Sequence, residues 1–172
     1  ICAHPCESRC RRNMVDDAIN IRGLKRAAVD RAGEVPQPVP TPSTGKRVAV
    51  VGGGPSGLSA AYYLSLMGHK VTVYEKRRQL GGMMRYGIPK YRLPREILDR
   101  EIARIEALGV EIETGREVKN LAEEMEKGGY DAVFLGVGAS LARRAYIPTG
   151  DAAHVLDAVS VLRSMEGEEP AM

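Results

Sequence analysis

One stretch, KRVAVVGGGPSGLSAAYYLSLMGHKVTVYEK from Lys46 to Lys76, narrows the folds open to this chain more than the rest of it together. Val48–Val51 is a short apolar run, rich in β-branched residues and bounded by glycine, the pattern of a buried parallel strand. Gly52, Gly54 and Gly57 follow at G-x-G-x-x-G spacing. In that spacing the first glycine permits a tight turn, the second lets backbone approach a pyrophosphate, and the third lets a helix sit close to the sheet. A helix predicted over Pro55 to Met67 aims its unpaired N–H groups and its dipole at the same place. Val71 and Val73 alternate along a second strand, and Glu75 falls 18 residues after Gly57, placed to accept from a ribose 2′-hydroxyl. Strand, glycines, helix, strand and acid in register predict a dinucleotide site rather than an ordinary packing turn. Glu75 also disfavours a 2′-phosphate in that pocket, where like charges would meet.

At 172 residues the chain has room for one core and an appendage, and with no Trp and a single Phe, Phe134, that core is aliphatic. A net charge of +3 does not mark a nucleic-acid binder; the basic clusters Arg11–Arg12, Lys76–Arg78 and Arg143–Arg144 read as solvated surface. No apolar run approaches the roughly 20 residues needed to span a bilayer, so no membrane insertion is expected. The chain opens on Ile and at once on cysteines, and is expected to be a piece of a longer protein.

Three segments follow from the pattern. Residues 1–33 form a basic arm that holds all three cysteines, with a helix predicted from Asn20 to Ala32 on the spacing of Ile21, Leu24, Ala28 and Val29. Residues 34–45, with prolines at 36, 38, 40 and 42, form an extended linker. Residues 46–172 form an α/β domain with a parallel sheet and right-handed crossovers. Within it, a helix opens at Pro94 and stops at Gly109, a strand covers Val110–Glu113, a short helix covers Leu121–Glu126, a strand covers Asp131–Gly138 and helical character returns over Ala152–Met165. That makes four parallel strand candidates, fewer than the five or six usual in such a domain, so the sheet is expected to be incomplete.

The glycine fingerprint alone does not separate FAD from NAD. The loop after Glu75, KRRQLGGMMRYGIPKYRL, is 18 residues long, and its Gly81-Gly82 permits close backbone approach to a flavin and its ribityl chain. It contains no cysteine, so dithiol chemistry beside a flavin is not expected. In the arm, Cys2, Cys6 and Cys10 stand at C-x3-C-x3-C spacing. Four thiolates commonly hold an iron–sulfur cube, and three are present; zinc with His4 as a fourth ligand is the other option, whereas a disulfide framework would leave one thiol over.

GGGPSGLSAAYYL, GGMMRYGIPKYRLPREI, and CAHPCESRCRR followed by INIRGLKRAAVD together resemble the glutamate synthase small-subunit family and its relatives, which include the N-terminal part of dihydropyrimidine dehydrogenase. The resemblance runs from about Cys2 to Leu162. It implies a Rossmann-like FAD domain, interrupted in the family by an NAD(P)H domain, in a cytoplasmic oxidoreductase. Carried over by motif, FAD would meet Gly52, Gly53, Gly54, Pro55, Ser56 and Gly57 through its pyrophosphate and Glu75 through its ribose. Lys76, Gly82 and Met83 would lie along the flavin loop, Arg92 would face FAD, and Val118 would meet the adenine. Arg85, Lys90 and Arg92 would stabilise an anionic reduced flavin. Cys2, Cys6 and Cys10 would ligate a [4Fe–4S] cluster, with Lys25 standing where some members place a Glu or Gln ligand, so the missing ligand is expected to be a cysteine upstream of Ile1.

The function so implied is electron transfer between nicotinamide, FAD and iron–sulfur clusters, with no catalytic side chain and with partners in the remainder of the chain or in another subunit. Two alternatives stand beside it: an NAD-binding dehydrogenase domain, and an incomplete module inactive without its missing half.

Overall fold

A computed structural model of the protein describes residues 1–139 and 157–167. The basic pair Arg143–Arg144 and the start of the helix expected over Ala152–Met165 lie outside the described residues. The chain divides into two compact units, Ile1–Pro38 and Val39–Met172.

The first unit contains α1 (Pro5–Ser8), a 3-10 turn at Arg11–Met14 and α2 (Ile21–Arg31). Asn20 caps α2 by accepting from the Gly23 N–H, and Glu7 ties α1 to α2 by accepting from the Arg22 N–H at 2.8 Å. None of its residues is buried. It therefore holds together by caps and surface ion pairs such as Arg12–Asp16, which contribute little individually.

The second unit begins inside the predicted linker. Proline cannot donate to a neighbour, but the threonines among and just after the prolines can. Thr41 N–H donates to Leu66 O at 2.9 Å, Thr44 N–H donates to Gly68 O at 3.0 Å, and Thr44 Oγ1 shares a hydrogen bond with His69 Nδ1 at 2.7 Å. Residues 39–45 are thus strapped onto the domain, which is why the boundary falls at Pro38.

The sheet holds β1 (Arg47–Val51), β2 (Lys70–Glu75), β3 (Glu111–Thr114) and β4 (Ala132–Leu135), all parallel, in the order β3-β2-β1-β4. The crossovers are α3 (Pro55–Leu66), α5 (Arg95–Glu106) and α6 (Leu121–Gly128). The long loop after β2 contains α4 (Met83–Tyr86), a turn of helix without any sequence period to announce it, and α7 (Ala158–Ser164) follows β4. Pro94 caps α5 rather than opening it, so the helix starts one residue later than its proline suggested.

Alternation along β1 and β2 sorts side chains to the two faces. Val50, Val71 and Val73 pack with Leu58, Ala61, Leu98 and Ile102 under α3 and α5. On the other face Ala49, Tyr74 and Tyr130 pack with Val118 and Val133. There the Tyr74 and Tyr130 hydroxyls share a 2.7 Å hydrogen bond. Burial, then the Tyr130 hydrogen bond, pushes the Tyr74 phenol upward. A raised phenol pKa means that this stability is fully present below the ordinary phenol range and is lost as pH rises beyond it. Tyr74→Phe strands the Tyr130 hydroxyl and is expected to cost about 1 to 2 kcal/mol, because a buried donor left without a partner keeps its desolvation penalty. Tyr130→Phe removes the same bond from the other side and is expected to cost a similar amount. The double variant is expected to cost less than the sum, measured as a double-mutant cycle in urea melts; strict additivity would contradict the pairing.

Candidate functional site

The carboxyl ends of β1 and β2 open onto a cavity of about 410 Å³, lined from the glycine turn by Gly52, Gly54, Pro55 and Ser56. The turn is possible because Gly52 has φ +110°, and a Cβ there would meet Gly136 O at 2.4 Å. Gly57 is buried instead of lining the cavity, and its role is close packing: a Cβ would fall 1.8 Å from Gly52 O. At Gly54 the only atom near a Cβ position is Gly82 Cα at 3.7 Å, so this residue leaves open space for a ligand. No side chain caps the N-terminus of α3, and Pro55 in its first turn has no N–H to orphan. The positive end of that helix is left for an anion.

Glu75 is buried at the end of β2, 7% exposed. Its Oε2 accepts from the Gly53 N–H at 2.8 Å and its Oε1 from the Arg77 N–H at 2.9 Å. The carboxylate therefore sits at the glycine turn and also braces it. The carbonyl of Gly53 accepts from the Gly81 N–H at 2.8 Å, so both backbone groups of Gly53 are used inside the protein, and Gly53 lies outside the cavity lining.

Most of the residues marked in the sequence come together here. Lys76, Gly82, Met83 and Val118 line the cavity with Glu75. Arg92 does not; it is exposed in the turn after Pro89. Arg85 is buried, donating to Leu80 O at 2.6 Å and pairing with Asp99, and Lys90 stands 3.8 Å from Glu166. Residues without a mark in the sequence reading also line the cavity: Arg116 from the end of β3, Gly136 to Ala139 after β4, and Arg163 from α7. Arg116 lies 4.4 Å over the Tyr74 ring and pairs with Glu124 at 2.7 Å. In the sequence this side of the cavity is signalled only by the Gly-Val-Gly run at 136–138, inside the span Asp131–Gly138 that the pattern predicts as strand. The strand spans only Ala132–Leu135, and the Gly136 N–H makes its last bond to β1, donating to Val51 O at 2.8 Å.

The cysteines behave differently. Cys2 and Cys6 are exposed and Cys10 is half-buried, all as free thiols. Backbone N–H groups, chiefly that of Ile19, hold the Cys10 thiol below its ordinary value. His4 pairs with Glu7 at 3.0 Å. Among the described residues no group of three or more His, Cys, Asp or Glu side chains converges. No helix among the described residues is long and apolar enough to cross a membrane.

A parallel sheet with a glycine turn at the end of β1, an uncapped helix start and an acid closing β2 defines a Rossmann-like α/β domain. The profile of the NAD(P)-binding Rossmann-like domain matches residues 50–103. The chain is 46% identical over 145 residues to the NADPH-Fe(3+) oxidoreductase subunit beta of Geobacter sulfurreducens, covering 81% of this chain and 22% of that protein. It is 35% identical to the glutamate synthase [NADPH] small chain of Mycobacterium tuberculosis over 98% of this chain and 36% of that one. Among solved structures, a 2-naphthoyl-CoA reductase complex superposes with TM-score 0.59 at 27% identity, over 74% of this chain and 19% of that chain. The chain belongs to the glutamate synthase small chain-like family. It spans between about a fifth and just over a third of these two relatives' own length, 22% and 36%.

Proposed function

We propose that this chain is the FAD-binding part of an NAD(P)H-dependent oxidoreductase of the glutamate synthase small-chain type, which passes electrons between nicotinamide, FAD and iron–sulfur clusters. The observation that carries this reading is the Glu75 carboxylate fixed on the Gly53 N–H, at the wall of an open cavity that begins at the α3 N-terminus. When bound, the flavin supplies hydride acceptance and one-electron release. The protein's own part is binding and placement. Backbone at Gly54 and Ser56 receives the diphosphate, and the remaining lone pairs of Glu75 accept ribose hydroxyls. Lys76 and Arg116 add positive charge to the lining, while Met83 and Tyr86 supply an apolar wall against water. Gly82, packed against Gly54, brings the Gly-Gly loop to the same ligand, which favours FAD over NAD here.

The names of the relatives carry NADPH, yet Glu75 faces the position of a 2′-phosphate. We therefore assign the nicotinamide donor to a second site outside these residues, and expect binding without turnover from this chain alone. A partner segment or subunit would accept the electrons. For the arm, Cys2, Cys6 and Cys10 enter as iron–sulfur ligands only once a further donor joins them, in a reducing, cytoplasmic setting; no step is derived through a cluster.

The second reading, an NAD-binding dehydrogenase domain, draws support from the matching profile's description. One titration separates the two. FAD should bind saturably, with its fluorescence quenched and a yellow colour that co-elutes with the protein, while NAD+ and NADP+ compete weakly. Tighter binding of NAD+ than of FAD would overturn the assignment.

A further inference from the structure

Outside the glycine turn, the most heavily bonded side chain near the cavity is Arg95, in the first turn of α5. Its side chain is 12% exposed and faces Glu166, whose side chain is 7% exposed. Nη2 lies 2.7 Å from Glu166 Oε1 and Nε lies 3.3 Å from Oε2, a two-point pairing. The same group donates to the carbonyls of Arg85 at 2.6 Å, Ile88 at 2.9 Å and Leu93 at 2.9 Å, with Met84 O at 3.4 Å.

The acceptors belong to two different pieces of chain. Met84 and Arg85 lie in α4, a helix of four residues whose last carbonyls have no partner within it. A cation at that end satisfies them and suits the helix dipole. α4 carries Met83 and Tyr86 to the cavity. Glu166 lies two residues past the end of α7, which carries Arg163 to the cavity. Arg95 itself does not line the cavity. A lysine at this position has three donors on a single nitrogen and cannot reach both groups in the same way. An apolar side chain would leave the α4 carbonyls bare.

We propose that Arg95 is the positioning residue of the cavity wall: with Glu166 it holds α4 and α7 as one piece, and this sets how long FAD stays bound. The retention part rests on the FAD reading above. Arg95 binds both helices, whereas Glu166 binds only through α7's end, so the two partners make different predictions. Glu166 has its carboxyl held below the ordinary range by Arg95, so the pair persists at neutral pH and is lost only as pH falls below that range.

The test combines amide hydrogen exchange of the ligand-free protein with the FAD dissociation rate. Arg95→Gln should speed exchange at residues 84–88 and 158–166 together, and should speed FAD release roughly tenfold or more, as loss of a buried charge partner would. Arg95→Lys should fall between. Glu166→Gln should loosen residues 158–166 while α4, still capped by Arg95, keeps its protection. If Arg95→Gln does not fold, Arg95→Lys and Glu166→Gln carry the test. Unchanged exchange at both helices in the Arg95 variants overturns the clamp. Faster FAD release with unchanged exchange overturns it too, since Arg95 would then act on the ligand directly. Failure of the unaltered protein to bind FAD overturns the site reading, and the exchange arm then decides the clamp separately.

Discussion

Gly57→Ala is expected to unfold the second unit, whereas Gly54→Ala leaves it folded and costs it its ligand. The added Cβ at Gly57 would lie 1.8 Å from Gly52 O and 3.1 Å from Val50 Cγ1. The first of these is backbone at the end of β1, so relief requires moving α3 off the sheet rather than turning a side chain. A core clash with backbone belongs among the rare substitutions that cost roughly 4 kcal/mol or more. Domains hold only about 5 to 15 kcal/mol in all, so much of the population would unfold. At Gly54 the backbone has φ −82°, ordinary for any residue, and the nearest atom to a Cβ is 3.7 Å away. Its stability should change by less than about 1 kcal/mol. The methyl would nevertheless occupy space that Gly54 leaves to the cavity, and overpacking of about 1 to 3 kcal/mol weakens FAD binding by about fivefold to 150-fold. Urea melts and FAD titrations of the two variants make the comparison. Gly57→Ala melting like the parent, or Gly54→Ala retaining parental FAD affinity, would show that the two glycines have been assigned the wrong roles.

Replacement of Glu75 by Ala is the second large effect, and it should strike fold and ligand together. Both carboxylate oxygens accept backbone N–H groups, from Gly53 and Arg77. Removing them strands two donors near the base of the cavity, at about 2 to 4 kcal/mol for hydrogen bonds to a charged group. Glu75→Gln should be milder in stability, because the amide oxygen still serves one donor while its NH2 faces the other. In FAD affinity the two should be alike, since neither offers ribose a full carboxylate. A Glu75→Ala protein that melts at the parental urea concentration would remove the bracing role. One that binds FAD normally would remove the ribose role.

Much of this was legible from residues alone because the fingerprint is local. Val48–Val51, the glycines and Glu75 fall within 28 residues, and each tolerates few substitutes for steric or electrostatic reasons that need no distant partner. The loop after Glu75 was less legible. α4 is one turn long and is held by Arg95, a residue beyond it in sequence, so no period in its own letters could announce it. Arg92 and Arg95 are both arginines flanking the same Leu-Pro, and the sequence singled out the first. The structure exposes Arg92 and leaves Arg95 half-buried, with its side chain only 12% exposed.

What the sequence by itself determined is the alternation of strands and helices, the glycine bend and the acid that closes β2, since these depend on backbone sterics and short-range periodicity. The tertiary structure alone decided which side chains share the cavity. It brought Arg116, the Gly136 run and Arg163 to the ends of β1 and β2, and set the Glu75 carboxylate on the Gly53 N–H. The physical reason is distance along the chain: contacts between residues far apart in sequence are set by how crossovers stack on a sheet, and no local pattern encodes that stacking.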